Sequence, residues 1–281
     1  VNWIGLLLLG VIAGVASGMF GIGGGVVIVP ALIGLFGFEL TQATGTSLAA
    51  LLMPVSIFAV LAYYRAGKLT IRTAAWIALG LLISSYIGAE IALGLPTATL
   101  QRLYGFFLLY VAWRFAEPRK WIAEIRRERE ARAVAVAAGS TPPNKGAAVV
   151  EEPTPSKGAW YWLFGVGLLA GIFSGMFGIG GGLIIVPVLV ALLNFDQKAA
   201  VGTSLAALLL PVALPAVLRY YQDGKIDIGY AVLVAVGLLF GAFGGARLAL
   251  ALPTATVKRL YGIFLLVMAI RFIFPELFIP R

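Results

Sequence analysis

Long apolar runs, cut at short intervals by polar clusters, set the pattern of this chain. In its first part the runs are Trp3–Phe20, Ile22–Phe36, Thr41–Tyr64, Ile71–Leu95 and Thr99–Phe115. A helix needs about 20 apolar residues to cross a hydrocarbon core of about 30 Å. The third and fourth runs meet that easily and the fifth adequately. The first two together cover Asn2–Gly37, roughly 54 Å if helical at 1.5 Å per residue, too long for one straight span. Gly21-Ile-Gly-Gly-Gly25 lies in the middle of this stretch, and consecutive glycines are poor helix, so a break is expected there. If the chain turns back at the break, the half makes five passes; if it continues, it makes four.

The same unit is written twice. Ser17-Gly-Met-Phe-Gly-Ile-Gly-Gly-Gly25 recurs unchanged as Ser174 to Gly182, and Gly45-Thr-Ser-Leu-Ala-Ala-Leu-Leu52 recurs as Gly202 to Leu209, both at an offset of 157. Pro30 and Pro187, Pro54 and Pro211, and Pro96 and Pro253 keep the same register. The chain therefore divides into a first transmembrane repeat (1–116), a charged helix and flexible linker (117–157) and a second transmembrane repeat (158–281). An odd number of passes per repeat would invert the second relative to the first; an even number would leave them parallel. Loop charge favours inversion, because the loop from Arg65 to Arg72 carries +3 whereas its counterpart from Gln222 to Gly229 carries −1. Arg219 and Arg271, which inversion puts near the outer face, count against it.

Composition sharpens this. Of 281 residues, 61% are hydrophobic and only 12% are charged, against about 25% charged in an average soluble domain. A soluble enzyme of this size could not cover its surface with so few charges. The fold class expected is thus an all-α polytopic membrane protein: two homologous repeats of about five hydrophobic segments, with a broken or re-entrant glycine-rich segment in each. The net charge of +9 does not point to nucleic acid, because the basic residues sit in short loops, where they set topology. Seven Lys or Arg between Arg114 and Arg132 place the linker in the cytoplasm and the protein in the cell (inner) membrane. The first apolar run lacks a basic n-region and a cleavage site, and reads as a mature membrane segment. With no cysteine and no histidine, neither a metal site nor a cofactor is expected, nor a histidine proton switch.

The candidate chemistry lies in the repeated motifs. Glycines let backbone approach a ligand at φ > 0, and a helix that starts after such a break offers unpaired N–H groups and the positive end of its dipole to an anion. Interrupted segments at matching places in two repeats point to a transporter's binding site; close helix packing is the plainer use of the same glycines. On this basis Gly21, Gly23, Gly24, Gly25, Gly178, Gly180, Gly181 and Gly182 are candidate substrate-binding residues. Thr46, Ser47, Thr203 and Ser204 join them as hydroxyl donors, unless they bond back to their own helices. A bulky residue at Gly24 or Gly181 is expected to abolish transport while leaving folding intact. Pro54 and Pro211 would kink the third segments. Glu90 and Arg247, at equivalent positions, are intramembrane ionisable residues and so candidates for coupling or gating. Inverted repeats would hold these two in opposite leaflets, whereas parallel repeats could pair them. Tyr63-Tyr64, Tyr220-Tyr221, Trp160 and Trp162 read as aromatic-belt residues.

The repeated Ser-Gly-Met-Phe-Gly-Ile-Gly-Gly-Gly, followed by a buried Pro and then Gly-Thr-Ser-Leu, resembles the TauE/SafE sulfite exporter family, also called the toluene-sulfonate uptake permease family. The resemblance covers both repeats but not the linker. It implies a secondary transporter of small sulfur-containing oxyanions such as sulfite, thiosulfate or sulfoacetate, with its site at the two glycine breaks and the two hydroxyl pairs. The chain has no Gly-x-x-x-x-Gly-Lys-[Ser/Thr] motif, so transport would be driven by a proton or sodium gradient or by a partner subunit. An anion channel of the same architecture and a non-transporting membrane scaffold are the alternatives.

Overall fold

The computed structural model describes residues 3–116 and 160–254, with 256, 257, 260, 263 and 266; the linker 117–157 lies outside the described residues. The first part folds as α1 (Trp3–Phe20), α2 (Gly25–Phe36), α3 (Leu40–Leu52), α4 (Ile57–Arg65), α5 (Ile71–Gly94) and α6 (Thr97–Ala116). The second gives α7 (Trp160–Phe177), α8 (Gly182–Ala191), α9 (Gln197–Leu209), α10 (Leu214–Gln222) and α11 (Ile228–Ala251). Helices α1, α5, α7 and α11 are long and apolar enough to cross a membrane. Pairs α3–α4 and α9–α10 are bent by 53° and 50°, and six spans result if each pair counts as one. The bends fall at Pro54 and Pro211, where the missing N–H interrupts the helical ladder. Only about half of each long helix is buried; the rest turns large apolar side chains outward, Phe240 with 67% of its surface exposed. Water would not tolerate that, and lipid does. The chain is an all-α polytopic membrane protein.

Helices of different repeats pair through glycine. A Cβ on Gly10 would meet Gly237, one on Gly14 would meet Gly241 and one on Gly18 would meet Ala246, so α1 and α11 run parallel with their backbones in contact. In the same way Gly80 faces Gly167 and Gly88 faces Gly175, which sets α5 parallel to α7. Apolar side chains gain little by leaving lipid, so association rests on close backbone approach, and small residues permit it.

The first break resolves the ambiguity left by the apolar pattern. α1 ends at Phe20; Gly21, Gly23 and Gly24 then take φ of 71°, 81° and 95°, the left-handed region that costs glycine nothing. By Gly24 the chain is back beside Ala13, whose carbonyl would lie 3.3 Å from a Cβ there. Ala13 is seven residues before Phe20, about 10 Å down the helix. At the far end of α2, Phe36 and Phe38 pack on Tyr230 at 5.8 and 5.0 Å between ring centres. Tyr230 lies at the start of α11, level with the start of α1 by the Gly10–Gly237 register. The chain therefore turns back, and α2 returns towards the end from which α1 began. Gly181 sits likewise beside Ala170. Both glycine-rich segments are re-entrant.

Candidate functional site

The two breaks meet each other about halfway along the longest helices, because Ala13 is level with the middle of α11 and Ala170 with the middle of α5. They cross reciprocally. A Cβ on Gly25 would strike the Gly178 carbonyl and one on Gly182 the Gly21 carbonyl, while one on Gly23 would lie 3.5 Å from Gly180 Cα. The eight glycines singled out from sequence are thus brought to one place. Close packing and the break turn out to be the same feature: the glycines let two backbones cross where side chains would hold them apart.

The hydroxyls decide the electrostatics of this crossing. Ser47 Oγ donates to the Gly178 carbonyl at 2.9 Å, and Ser204 Oγ donates to the Gly21 carbonyl at 2.8 Å. Each serine spans the repeats and spends its one proton there. Thr46 Oγ1 accepts from the Asp227 N–H at 3.0 Å, and Thr203 Oγ1 from the Thr70 N–H at 3.3 Å, fixing the starts of α11 and α5. Tyr63 Oη donates to the Gly18 carbonyl and Tyr220 Oη to the Gly175 carbonyl, both at 2.9 Å. Carbonyls left over at the ends of α1 and α7 are therefore satisfied by hydroxyl protons. At the starts of α2 and α8 the opposite holds: neither Gly24 nor Gly181 caps its helix with a side chain, and the first N–H groups of a helix have no partner within it. The Gly18, Gly21, Gly175 and Gly178 carbonyls thus each accept a hydroxyl proton, while the first N–H groups to bond back are those of Val27 in α2 and Ile184 in α8, which leaves Gly25, Val26, Gly182 and Leu183 ahead of them. Two positive dipole ends, from helices of 12 and 10 residues, point into one buried region, which favours an anion there.

A small cavity opens at the crossing, in which the centre of a water-sized group ranges over about 20 Å³. Its lining follows the repeat: Ser17 with Ser174, Gly23 with Gly180, Leu51 with Leu208 and Val55 with Val212. Ser56 is matched by Ala213, the one pair whose residue types differ, and Leu205 lines the cavity without its counterpart Leu48. Among the described residues, no charged side chain lines it.

Several expectations need correction. Tyr63 and Tyr220 are not belt residues. Both are fully buried, whereas their neighbours Tyr64 and Tyr221, with Trp160 and Trp162, are the exposed ones. A bulky residue at Gly24 would not leave folding intact, because φ is 95° there and a Cβ would lie 2.8 Å from Leu238 Cδ2; Gly181 is placed equivalently against Leu81. Glu90 and Arg247 do not pair. Glu90 Oε1 accepts from Arg219 Nε at 2.6 Å, and Arg219 also reaches Asp223, while the Arg247 guanidinium lies 4.3 Å over the Phe243 ring. Neither Glu90 nor Arg247 reaches the central cavity. Ser17 and Ser174 open the repeated nonapeptide and line that cavity, yet were not among the expected site residues; their place at the head of an unchanged repeat was the available signal.

Residues 6–272 match the sulfite exporter TauE/SafE family. The chain belongs to this family. It is 25% identical to the probable membrane transporter protein YunE of Bacillus subtilis, over 99% of both chains. It is 26% identical to YdhB of the same organism, over 90% of this chain and 93% of that one. A probable membrane transporter protein of Haemophilus influenzae is also 26% identical, over 94% and 95%. No solved structure matches the chain. As a member of the TauE/SafE family, the protein is a multi-pass membrane transporter and not an enzyme.

Proposed function

We propose that the protein is a secondary transporter of small sulfur-containing oxyanions (sulfite, thiosulfate or an organosulfonate such as sulfoacetate) that binds them where the two glycine breaks cross and exposes them alternately to the two faces of the membrane. One observation carries this reading: two helix starts without a side-chain cap meet where the breaks cross, beside a cavity lined by Gly23 and Gly180, with the Gly21 and Gly178 carbonyls already held by Ser204 and Ser47. An anion would offset both dipole ends without a buried cationic side chain. Gly21 to Gly25 and Gly178 to Gly182 form the floor of this site. Ser47 and Ser204 hold the glycine carbonyls in position, and Thr46 and Thr203 anchor the helices around it. The family's description supports the sulfur oxyanion class.

Alternating access in this reading uses two inverted repeats of five segments. Two contacts and one bend support inversion. α3 starts level with the start of α11, since Thr46 meets Asp227 and Lys225 Nζ lies 2.9 Å from Glu39 Oε2. α3 and α4 bend by only 53°, so the pair advances rather than doubling back, and it ends beside the start of α5. The equivalent helices α5 and α11 therefore start from opposite ends. Pro54 and Pro211 would act as the hinges, with Glu90 and Arg247 near the two ends as gating or coupling groups for protons or sodium. The basic residues between Arg114 and Arg132 put the linker in the cytoplasm.

The test is the unfolding midpoint of the detergent-purified protein titrated with sulfite, thiosulfate, sulfoacetate, sulfate and chloride. A ligand that binds only the folded state raises the midpoint by mass action. A rise with at least one sulfur oxyanion and none with chloride at equal ionic strength is expected; equal midpoints in all five salts would overturn the reading.

A further inference from the structure

Three side chains at the crossing have no part in holding it together. Ser17 and Ser174 are each 3% exposed and Ser56 is 5% exposed. All three line the cavity, and among the described residues none of their hydroxyls forms a hydrogen bond with the protein. The other serines of this region are committed: Ser47 and Ser204 to glycine carbonyls, Ser84 to Leu168 and Ser85 to Val212. A hydroxyl that has no protein partner and opens into a cavity keeps its proton for a ligand, so three of them facing one space beside the two breaks mark a place where a ligand would bind.

Resting on the anion-transport reading above, we propose that Ser17, Ser174 and Ser56 are the side-chain donors that hold the anion, and that the pair Ser56 and Ala213 sets which anions fit. A hydroxyl can turn its proton to an oxyanion oxygen, and the first two N–H groups of α2 and of α8, which have no partner within their own helices, lie in the breaks beside the cavity. Every donor is neutral, so selection rests on the shape and polarity of the cavity rather than on a counter-charge. Ser17 and Ser174 treat the two sides of the ligand alike. Ser56 and Ala213 do not: one side offers a donor and the equivalent place on the other offers a methyl group. An anion with oxygens on one side and a non-oxygen substituent on the other matches this division. Thiosulfate presents a terminal sulfur to the apolar side, and a small sulfonate presents carbon. Sulfate has oxygen in every direction and must press one against Ala213 without a hydrogen bond, which a site of this kind penalises.

The experiment is calorimetric titration of the full-length protein in detergent with sodium thiosulfate, methanesulfonate and sulfate at fixed ionic strength. Ser17→Ala and Ser174→Ala are each expected to weaken thiosulfate binding about tenfold or more, the scale of one lost bond to a charged group. Ser56→Ala should weaken it as well, and Ala213→Ser should narrow the preference for thiosulfate over sulfate. Unliganded unfolding midpoints report whether each variant is folded, and Ser17→Cys, similar in size but a poor donor, is the second variant if Ser17→Ala is not. Wild-type binding that Ser17→Ala and Ser174→Ala leave unchanged would overturn this assignment while sparing the transport reading. An unaltered thiosulfate preference in Ala213→Ser would overturn the role given to that pair. Binding of none of the three anions by the wild-type protein would overturn this assignment; the transport reading would still be decided by its own titration, which includes sulfite and sulfoacetate.

Discussion

The centre and the rim of this molecule treat its internal duplication in opposite ways. At the crossing of the breaks, every glycine, Ser47 with Ser204, and Tyr63 with Tyr220 match across the repeats, in sequence and in hydrogen-bond partner. Towards the ends of the helices several matches fail. Glu90 stands opposite Arg247, Tyr86 opposite Phe243, and Arg219 opposite Ala62. One end has an ion pair between α5 and α10; the other has an arginine lying over a phenylalanine ring. The crossing must satisfy the same backbone geometry from both sides and cannot drift. The rim sits where the two faces of a membrane differ, and there the repeats have diverged. Sidedness belongs to the rim and the shared bonding to the centre.

Substitutions at the centre should produce the largest effects and equal ones in both repeats. Gly25→Val and Gly182→Val each drive a side chain into a carbonyl of the other break, which neither backbone can yield. Both are expected to exceed about 4 kcal/mol, the range of substitutions that abolish folding, and size-exclusion chromatography should find no monodisperse protein for either. Next come Ser47→Ala and Ser204→Ala, which strand a buried glycine carbonyl at a cost of about 1–3 kcal/mol. Their unfolding midpoints should fall by the same amount; a clear inequality would break the equivalence of the two sides.

Gln197 offers a test in the other direction. It is fully buried with neither amide atom bonded, and its equivalent in the first repeat is Leu40, also buried. Gln197→Leu should raise the midpoint, by about 1–3 kcal/mol for the amide no longer stranded, and Leu40→Gln should lower it. The smallest effect on stability is expected at the rim. Arg219 and Glu90 keep 20% and 43% of their side-chain surface exposed, and ion pairs so placed add little to folding. Glu90→Gln should leave the midpoint nearly unchanged and instead shift the balance between the two faces. The readout is thiol labelling of single cysteines introduced at Arg65 and Gln222, and equal labelling in both backgrounds would remove the pair from any gating role.

Much of the fold was legible in the residues. The apolar runs end within a few residues of α1, α5 and α6, the break at Gly21 to Gly25 lies where three glycines ruled out a helix, and Pro54 and Pro211 mark the bends. The candidate site was legible in part. Recurrence at a fixed offset singled out the glycines and the Thr-Ser pairs, but not what the hydroxyls do. Tyr63 and Tyr64 are indistinguishable as neighbours at a helix end. One is buried against α1 and the other is exposed, because the bend at Pro54 fixes the direction in which α4 presents its faces.

What the sequence determined by itself was whatever depends on position along the chain: where helices can form, where they must stop, and that the unit occurs twice. Apolar length, glycine's access to left-handed backbone and proline's missing N–H act locally and need no knowledge of neighbours. What only the tertiary structure decided was the pairing. A serine proton can go back to its own helix or, as Ser47 does, to a carbonyl 131 residues away, and the two cost nearly the same in isolation. The crossing of the breaks makes the choice by bringing that carbonyl within reach, and among the described residues it leaves the hydroxyls of Ser17, Ser174 and Ser56 without a partner in the protein.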